Sequence, residues 1–181
     1  MKKPAFLRRG VTLVEMLIVV GILGIIVAAA APSIADLMAR RRVEMVAAEL
    51  ATNLAYARSE AGMRPQNVYI YFDAAGSCYS LVFWGGAGDC DCTLGAGNAC
   101  SAPGVIATEF KTVQLAGTGG VKLTATDSPI TFQSRRMSAA PDGASVTISS
   151  SRAGQLKLSV NAAGRVASCS PDGSITGVAR C

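Results

Sequence analysis

The sequence predicts an α+β fold: one long N-terminal helix, apolar in its first half and amphipathic in its second, packed on a mainly antiparallel β-sheet head. Three observations carry this. Residues 11–31 are almost uniformly apolar. Residues 32–62 keep a helical recurrence of apolar positions, but on one stripe only. Across residues 66–181 the texture becomes short apolar/polar alternations broken by Gly, Ser, Thr and Asn, as strands and turns require.

The first element sits in the stretch "RRGVTLVEMLIVVGILGIIVAAAAP", residues 8–32. As a helix, residues 11–31 would be about 31 Å long, close to the roughly 30 Å hydrocarbon thickness of a bilayer. Lys2, Lys3, Arg8 and Arg9 precede it and favour a cytoplasmic N-terminus. These four also supply most of the formal charge of +5: the rest of the chain carries 13 of the 17 basic residues against 12 acidic ones. Global basicity therefore argues for no polyanionic partner. An ordinary secretory signal would explain the basic start and Ala28–Ala31. Its apolar region is usually no longer than about 15 residues, however, and it gains nothing from Glu15. A plain single-span anchor leaves Glu15 equally unexplained.

Gly10, Val11, Thr12, Leu13, Val14 and Glu15 resemble the cleavage motif of type IV prepilins: a basic leader ending in Gly, an apolar residue, then Thr-Leu-aliphatic-Glu and a long apolar helix. The resemblance implies a leader, residues 1–10, removed by a prepilin peptidase between Gly10 and Val11, and N-methylation of Val11. Val11 departs from the usual Phe. It also implies a bacterial inner-membrane protein with its head in the periplasm, whose residues 11–31 later join a filament core. An acidic residue at a bilayer centre costs about 2.5–3.5 kcal/mol. In a filament Glu15 can instead meet the terminal amine of a neighbouring pilin or pseudopilin, which makes it an assembly residue.

Beyond Pro32 the helical pattern resumes. Val43, Val46, Leu50, Leu54, Ala57 and Ala61 form a stripe on which one domain can pack, and Gly62 with Pro65 signals the stop. Residues 11–61 would span roughly 75 Å if unbroken. Gly21, Gly24 and Pro32 are weak points, and the resemblance implies local melting between Gly24 and Pro32 inside filaments. Arg40, Arg41 and Arg42 could address phospholipid or DNA. A solvated helix face explains them as well.

The head begins with Val68, Ile70 and Phe72 on one face of a strand, followed by "CYSLVFW" (78–84). Further strands are expected near 108–115, 121–125, 130–133, 146–149, 155–160 and 165–168. In "QLKLSV" Leu156, Leu158 and Val160 point inward, Lys157 and Ser159 outward. Tyr69, Tyr71, Tyr79 and Trp84 fit the core or cross-strand pairs better than a ligand surface. Residues 85–104 form a glycine-rich loop that needs covalent help to hold a shape.

The six cysteines, Cys78, Cys90, Cys92, Cys100, Cys169 and Cys181, all follow the apolar segment. In an exported head they read as disulfides rather than as a zinc site, since the chain has no histidine. Cys169 and Cys181 suit a small C-terminal loop. Cys90 and Cys92 suit partners in Cys78 and Cys100, in an order the spacing leaves open. The missing histidine also excludes Ser-His-Asp and Cys-His catalysis, and no P-loop is present. No enzyme, cofactor or metal is expected.

"LAYARSEA" (54–61) and "SVNAAGRVASC" (159–169) resemble the GspH/FimT family of minor pilins and pseudopilins. That resemblance implies a pilin fold and a minor pilin, near the tip, that helps start pilus assembly. The related alternative is a minor pseudopilin of a type II secretion system. It raises a third reading, DNA binding in natural transformation through a Gly-Arg-x-Arg element. Here Gly164-Arg165-Val166 matches, and Ala167 stands where the second arginine belongs. Arg165, Arg180, Lys157 and Arg152 are the candidate phosphate contacts.

Overall fold

The computed structural model describes residues 11–83, 90–101, 104, 106–115 and 119–181. The leader with Gly10, Trp84 and part of the 85–104 loop lie outside the described residues. Two compact units follow one another, Met1–Asp36 and Leu37–Cys181.

Helix α1, Leu13–Met63, begins in the first unit and ends in the second. Its start is capped by Thr12, whose Oγ1 accepts the Glu15 N–H at 3.3 Å. It contains Pro32, and it ends at Met63, between Gly62 and Pro65, where the sequence signals the stop. The Gly62 position carries no Cβ because Met137 occupies that space, with its Sδ 2.8 Å from where a Cβ would lie. The end is closed by two backbone bonds to carbonyls of the last turn. Arg64 N–H donates to Glu60 O at 3.1 Å and Arg135 N–H to Ala61 O at 2.9 Å.

In the second unit α1 buries Ala39, Val43, Val46, Ala47, Leu50, Leu54, Ala57 and Ala61, spaced by three and four. Two antiparallel sheets share this core. The first contains β1 (Val68–Phe72), β2 (Cys78–Phe83), β3 (Thr108–Gln114), β5 (Ile130–Phe132) and β6 (Ala139–Ala140), in the order β3-β2-β1-β5-β6. The second contains β4 (Lys122–Ala125), β7 (Ser145–Ser150), β8 (Gly154–Val160) and β9 (Val166–Cys169), in that order. The alternation in the sequence thus marks strands of two sheets, where one sheet was the simpler expectation. One apolar cluster joins Leu50 and Leu54 of α1 to Val68, Ile70, Leu81 and Phe132 of the first sheet. It continues to Leu123, Val146, Ile148, Leu156, Leu158 and Val160 of the second.

Every residue of β2 is buried, because its two faces meet different partners. Tyr79, Leu81 and Phe83 enter the main core. On the opposite face Val82 joins Tyr71 and Cys90 in a second cluster, flanked by Tyr69, Cys100 and Ala107. The Cys-rich segment therefore serves as a cover for the outer face of the first sheet. Disulfides Cys78–Cys92 and Cys90–Cys100 tie it down. Glu109 on β3 holds its far side, with one carboxylate oxygen accepting Gly97 N–H at 2.8 Å and the other Ala99 N–H at 2.9 Å. Asp91 caps the 3-10 turn Cys92–Leu94 by accepting Thr93 N–H at 2.8 Å. These bonds replace the ladder that a glycine-rich stretch cannot form.

A buried polar group, Asn53, joins α1 to the first sheet. Asn53 Nδ2 donates to Tyr79 Oη at 2.7 Å, and Lys111 Nζ donates to Asn53 Oδ1 at 2.9 Å. Burial pushes the Tyr79 phenol well above its ordinary value. The neutral phenol and its amide partner fix one register of helix on sheet without burying a charge.

Candidate functional site

The first unit carries a helix whose apolar surface is exposed. Its helix is long and apolar enough to cross a membrane, with an 18-residue window of mean hydropathy 2.7 and none of that window buried. Val11, Leu13, Leu17, Val20, Ile25 and Val27 are each more than half exposed. Apolar surface of this extent is stable only against lipid or other helices. Glu15 is the one ionisable side chain between Val11 and Asp36. It lies at the third helical position, three after Thr12, and the pattern Thr-x-x-Glu is that of a capping box. Thr12 is a site residue that the sequence reading did not single out, although this spacing was visible there.

The three adjacent arginines do not act together. Arg41 pairs with Glu44 at 3.1 Å. Arg42 lies half-buried against Gly119, whose missing Cβ leaves the guanidinium its room. Arg40 is exposed.

The four candidate DNA contacts are also divided. Arg152 lies in the turn between β7 and β8, and Arg165 lies just before β9. The seven residues of β8 stand between these turns, a distance of roughly 20 Å along the strand. Lys157 is half-buried in mid-strand, opposite Cys169. Arg180 is exposed and pairs with Ser170 through an isolated bridge. Arg165 instead shares a cleft with Arg58 of α1, Met137 and Gly164. Sequence distance hides this neighbourhood, since α1, the β5–β6 turn and the β8–β9 turn supply one wall each.

The C-terminal tail is folded by a disulfide and one carboxylate. Cys169 bonds Cys181, and Ile175 between them is buried in the core. Asp172 accepts the Ser174 Oγ–H at 2.7 Å, the Ser174 N–H at 3.0 Å and the Ser170 Oγ–H at 3.0 Å through Oδ1, and the Gln155 N–H at 3.2 Å through Oδ2. The Ser174 donors, hydroxyl first, draw its pKa down to about 2. A depressed carboxylate stabilises the folded chain above its unfolded pKa of about 3.9. That contribution is lost as the pH falls through about 2. Asp172→Asn is therefore expected to lower the thermal midpoint at neutral pH, with the gap to wild type closing between about pH 4 and pH 2. Midpoints measured across that range check this; a gap independent of pH would assign the loss to packing.

Among the described residues no group of His, Cys, Asp or Glu is placed to hold a metal ion, and all six cysteine sulfurs are in disulfides.

Comparison with known proteins agrees with this architecture. The family model for type II transport protein GspH matches residues 46–164, and that for the prokaryotic N-terminal methylation motif matches residues 6–31. Among solved structures, the fold resembles the type IV minor pilin FimU of Pseudomonas aeruginosa, at 21% identity and a TM-score of 0.52, covering 71% of this chain and 88% of that one. It also resembles the minor pseudopilin EpsH from the type 2 secretion system of Vibrio cholerae, at 11% identity and a TM-score of 0.50, covering 72% of this chain and 98% of that one. No curated protein sequence matches the chain.

Proposed function

Because the chain belongs to the family of the type II transport protein GspH, we propose that it is a minor type IV pilin. A prepilin peptidase removes residues 1–10 by cutting between Gly10 and Val11, and Val11 is N-methylated. Residues 11–31 hold the precursor in the bacterial inner membrane, N-terminus cytoplasmic and head periplasmic. The same helix then passes into a pilus, near its tip, where the protein helps begin assembly. Its role is structural, and its partners are other pilins.

One observation carries the proposal: an apolar helix with every long side chain from Val11 to Val27 exposed, and one carboxylate near its start. Lipid satisfies the apolar side chains but not the carboxylate. A bundle of like helices with free N-terminal amines satisfies both. The minor pseudopilin of a type II secretion system is the alternative, since the same helix serves a pseudopilus.

Intact-mass and N-terminal sequencing of the envelope protein test the processing step. The mature chain is expected to begin at Val11 with one added methyl group, and Gly10→Leu to leave residues 1–10 attached. A chain that begins at Met1 in cells with an active peptidase would sink the proposal. Its presence in sheared surface filaments then favours the pilus, and its retention in the envelope the pseudopilus.

A further inference from the structure

The head carries a cleft of about 470 Å³ lined by Ala55, Arg58 and Ser59 of α1, Met137, and Gly164, Arg165 and Val166. We propose that this cleft binds an acidic peptide segment of a partner protein, with a carboxylate between the two guanidinium groups and an apolar side chain on the floor.

The cleft is assembled from three elements fastened to one another. Arg58 Nε donates to Met137 O at 3.3 Å, which orients the guanidinium and leaves its two terminal nitrogens for a ligand. Gly164 sits at φ 70°, and a Cβ there would come 2.5 Å from Met137 O and 3.0 Å from Arg58 Nε. Only glycine lets the β8–β9 turn approach this closely. The turn between β5 and β6 is held by Arg135 N–H on Ala61 O at 2.9 Å and by Ala139 N–H on Ala162 O at 3.0 Å. Two of its residues, Arg135 and Met137, adopt positive φ of 63° and 52°. Side chains as long as these seldom hold that conformation without a compensating role.

The charge of the region has no counterpart within the head. Arg135, Arg136 and Arg165 are exposed and Arg58 half-exposed. Among the described residues the ion pairs are Arg41–Glu44, Arg64–Glu60 and Lys111–Glu49, and none of these four arginines takes part. Asp142 accepts Ala162 N–H at 2.6 Å and keeps its charge, but it takes part in none of these ion pairs. Arg58 and Arg165, both outside those ion pairs, line the concave wall and focus a positive potential into it. Arginine forks match a planar carboxylate in two-point contact.

The floor decides between anions. Ala55, Met137 and Val166 present apolar surface, and among the described residues no aromatic ring lines the cleft. A single-stranded nucleic acid brings phosphates and flat bases, which call for stacking rings beside the basic groups. An acidic peptide brings a carboxylate and an aliphatic side chain together, which is what these walls complement. In a filament the partner would be a neighbouring subunit. That identification rests on the pilin proposal, whereas binding itself is read on the single chain.

The test uses the full-length chain in detergent micelles and fluorescence anisotropy. The ligands are a short labelled peptide of alternating leucine and glutamate, its leucine–glutamine counterpart, and a labelled single-stranded DNA. The glutamate peptide is expected to bind, and to weaken as salt is raised. The glutamine peptide is expected to bind at least about tenfold more weakly, since charge-assisted bonds are lost. Arg165→Gln and Arg58→Gln should each cost the glutamate peptide about the same factor. Lys157→Gln, in mid-strand outside the cleft, should change nothing. The proposal is overturned by equal affinity for the two peptides, by a loss in Lys157→Gln as large as in Arg165→Gln, or by DNA binding that the glutamate peptide does not displace. Arg165 is exposed on a turn, so a native melting curve for its variant separates lost contacts from lost folding. Failure here leaves the pilin proposal standing, because cleavage and filament incorporation are measured on the first unit.

Discussion

Glu15→Ala is expected to leave the chain inserted in the membrane and to remove it from filaments. The two outcomes separate because the carboxylate opposes the first and drives the second. In lipid its charge costs about 2.5–3.5 kcal/mol at the bilayer centre and less near the edge, so its loss makes insertion slightly easier. In a filament the neutral side chain leaves the amine of a neighbouring Val11 without a partner among apolar helices. A pair of unit charges about 4 Å apart gains about 4 kcal/mol at an effective dielectric near 20. Removing one partner of such a pair costs about 3–5 kcal/mol, or more than about a hundredfold in affinity. A capping role for the Glu15 side chain would make a competing prediction. Thr12 Oγ1 accepts the Glu15 N–H, so Glu15 stands where a capping-box glutamate would support the helix start, and loss of a cap costs only about 1 kcal/mol. Three variants separate the roles. Glu15→Gln keeps a hydrogen-bonding side chain and loses the charge. Thr12→Val loses the cap and keeps the charge. Pairing predicts that Glu15→Gln is excluded from sheared filaments while Thr12→Val is incorporated. The reverse would make Glu15 a cap residue and no more. Immunoblots of membrane and filament fractions supply the measurement.

The parts of the molecule that rest on a single periodicity were legible before any coordinates. Val43, Leu50, Leu54 and Ala61 recur at helical spacing and are fully buried. Leu156, Leu158 and Val160 alternate and are buried, with Lys157 and Ser159 half-buried between them. Alternation says which face of a strand is wet, but not which strand lies beside it. That is why the division into two sheets was invisible, and why β6, with only Ala139 and Ala140, was missed. Gly62 with Pro65 marks the helix end to within one residue, but the sequence does not show that Gly62 also makes room for Met137. The Cys-rich loop had a disulfide signature, yet the order Cys78–Cys92 and Cys90–Cys100 follows from its position over Tyr71 and Val82. The basic residues were the least legible. Proximity in sequence suggested one group of Arg152, Lys157, Arg165 and Arg180. The hairpin places Arg152 and Arg165 at opposite ends of β8, and the chain returns Arg58 from the helix to stand beside Arg165.

Leu54→Ala is expected to destabilise the head by about 3–5 kcal/mol, the range for emptying a closed core site. Leu54 is completely buried in the cluster shared by α1 and both sheets. Its neighbours along the helix, Ala57 and Ala61, are small and fully buried, so the backbone already lies close to the sheets. Little side-chain motion is left to fill the void, which places the cost toward the upper end. Against a total of roughly 5–15 kcal/mol for a domain, this is a large fraction, and a fall of roughly 10 °C in melting temperature follows. Met45→Ala is the control, on the same helix and 62% exposed; it should change stability by less than about 0.5 kcal/mol. Near-UV circular dichroism of the full-length protein in detergent follows the head through buried Tyr79, apart from the helical signal of the first unit. Equal shifts in the two variants would mean that the stripe of α1 is not the surface on which the sheets close. Unequal shifts of the expected size would tie the head to the same helix that carries Glu15. Displacing the head would then require breaking this core, so a pull on the helix inside a filament would reach the head through Leu50 and Leu54 before any loop could yield.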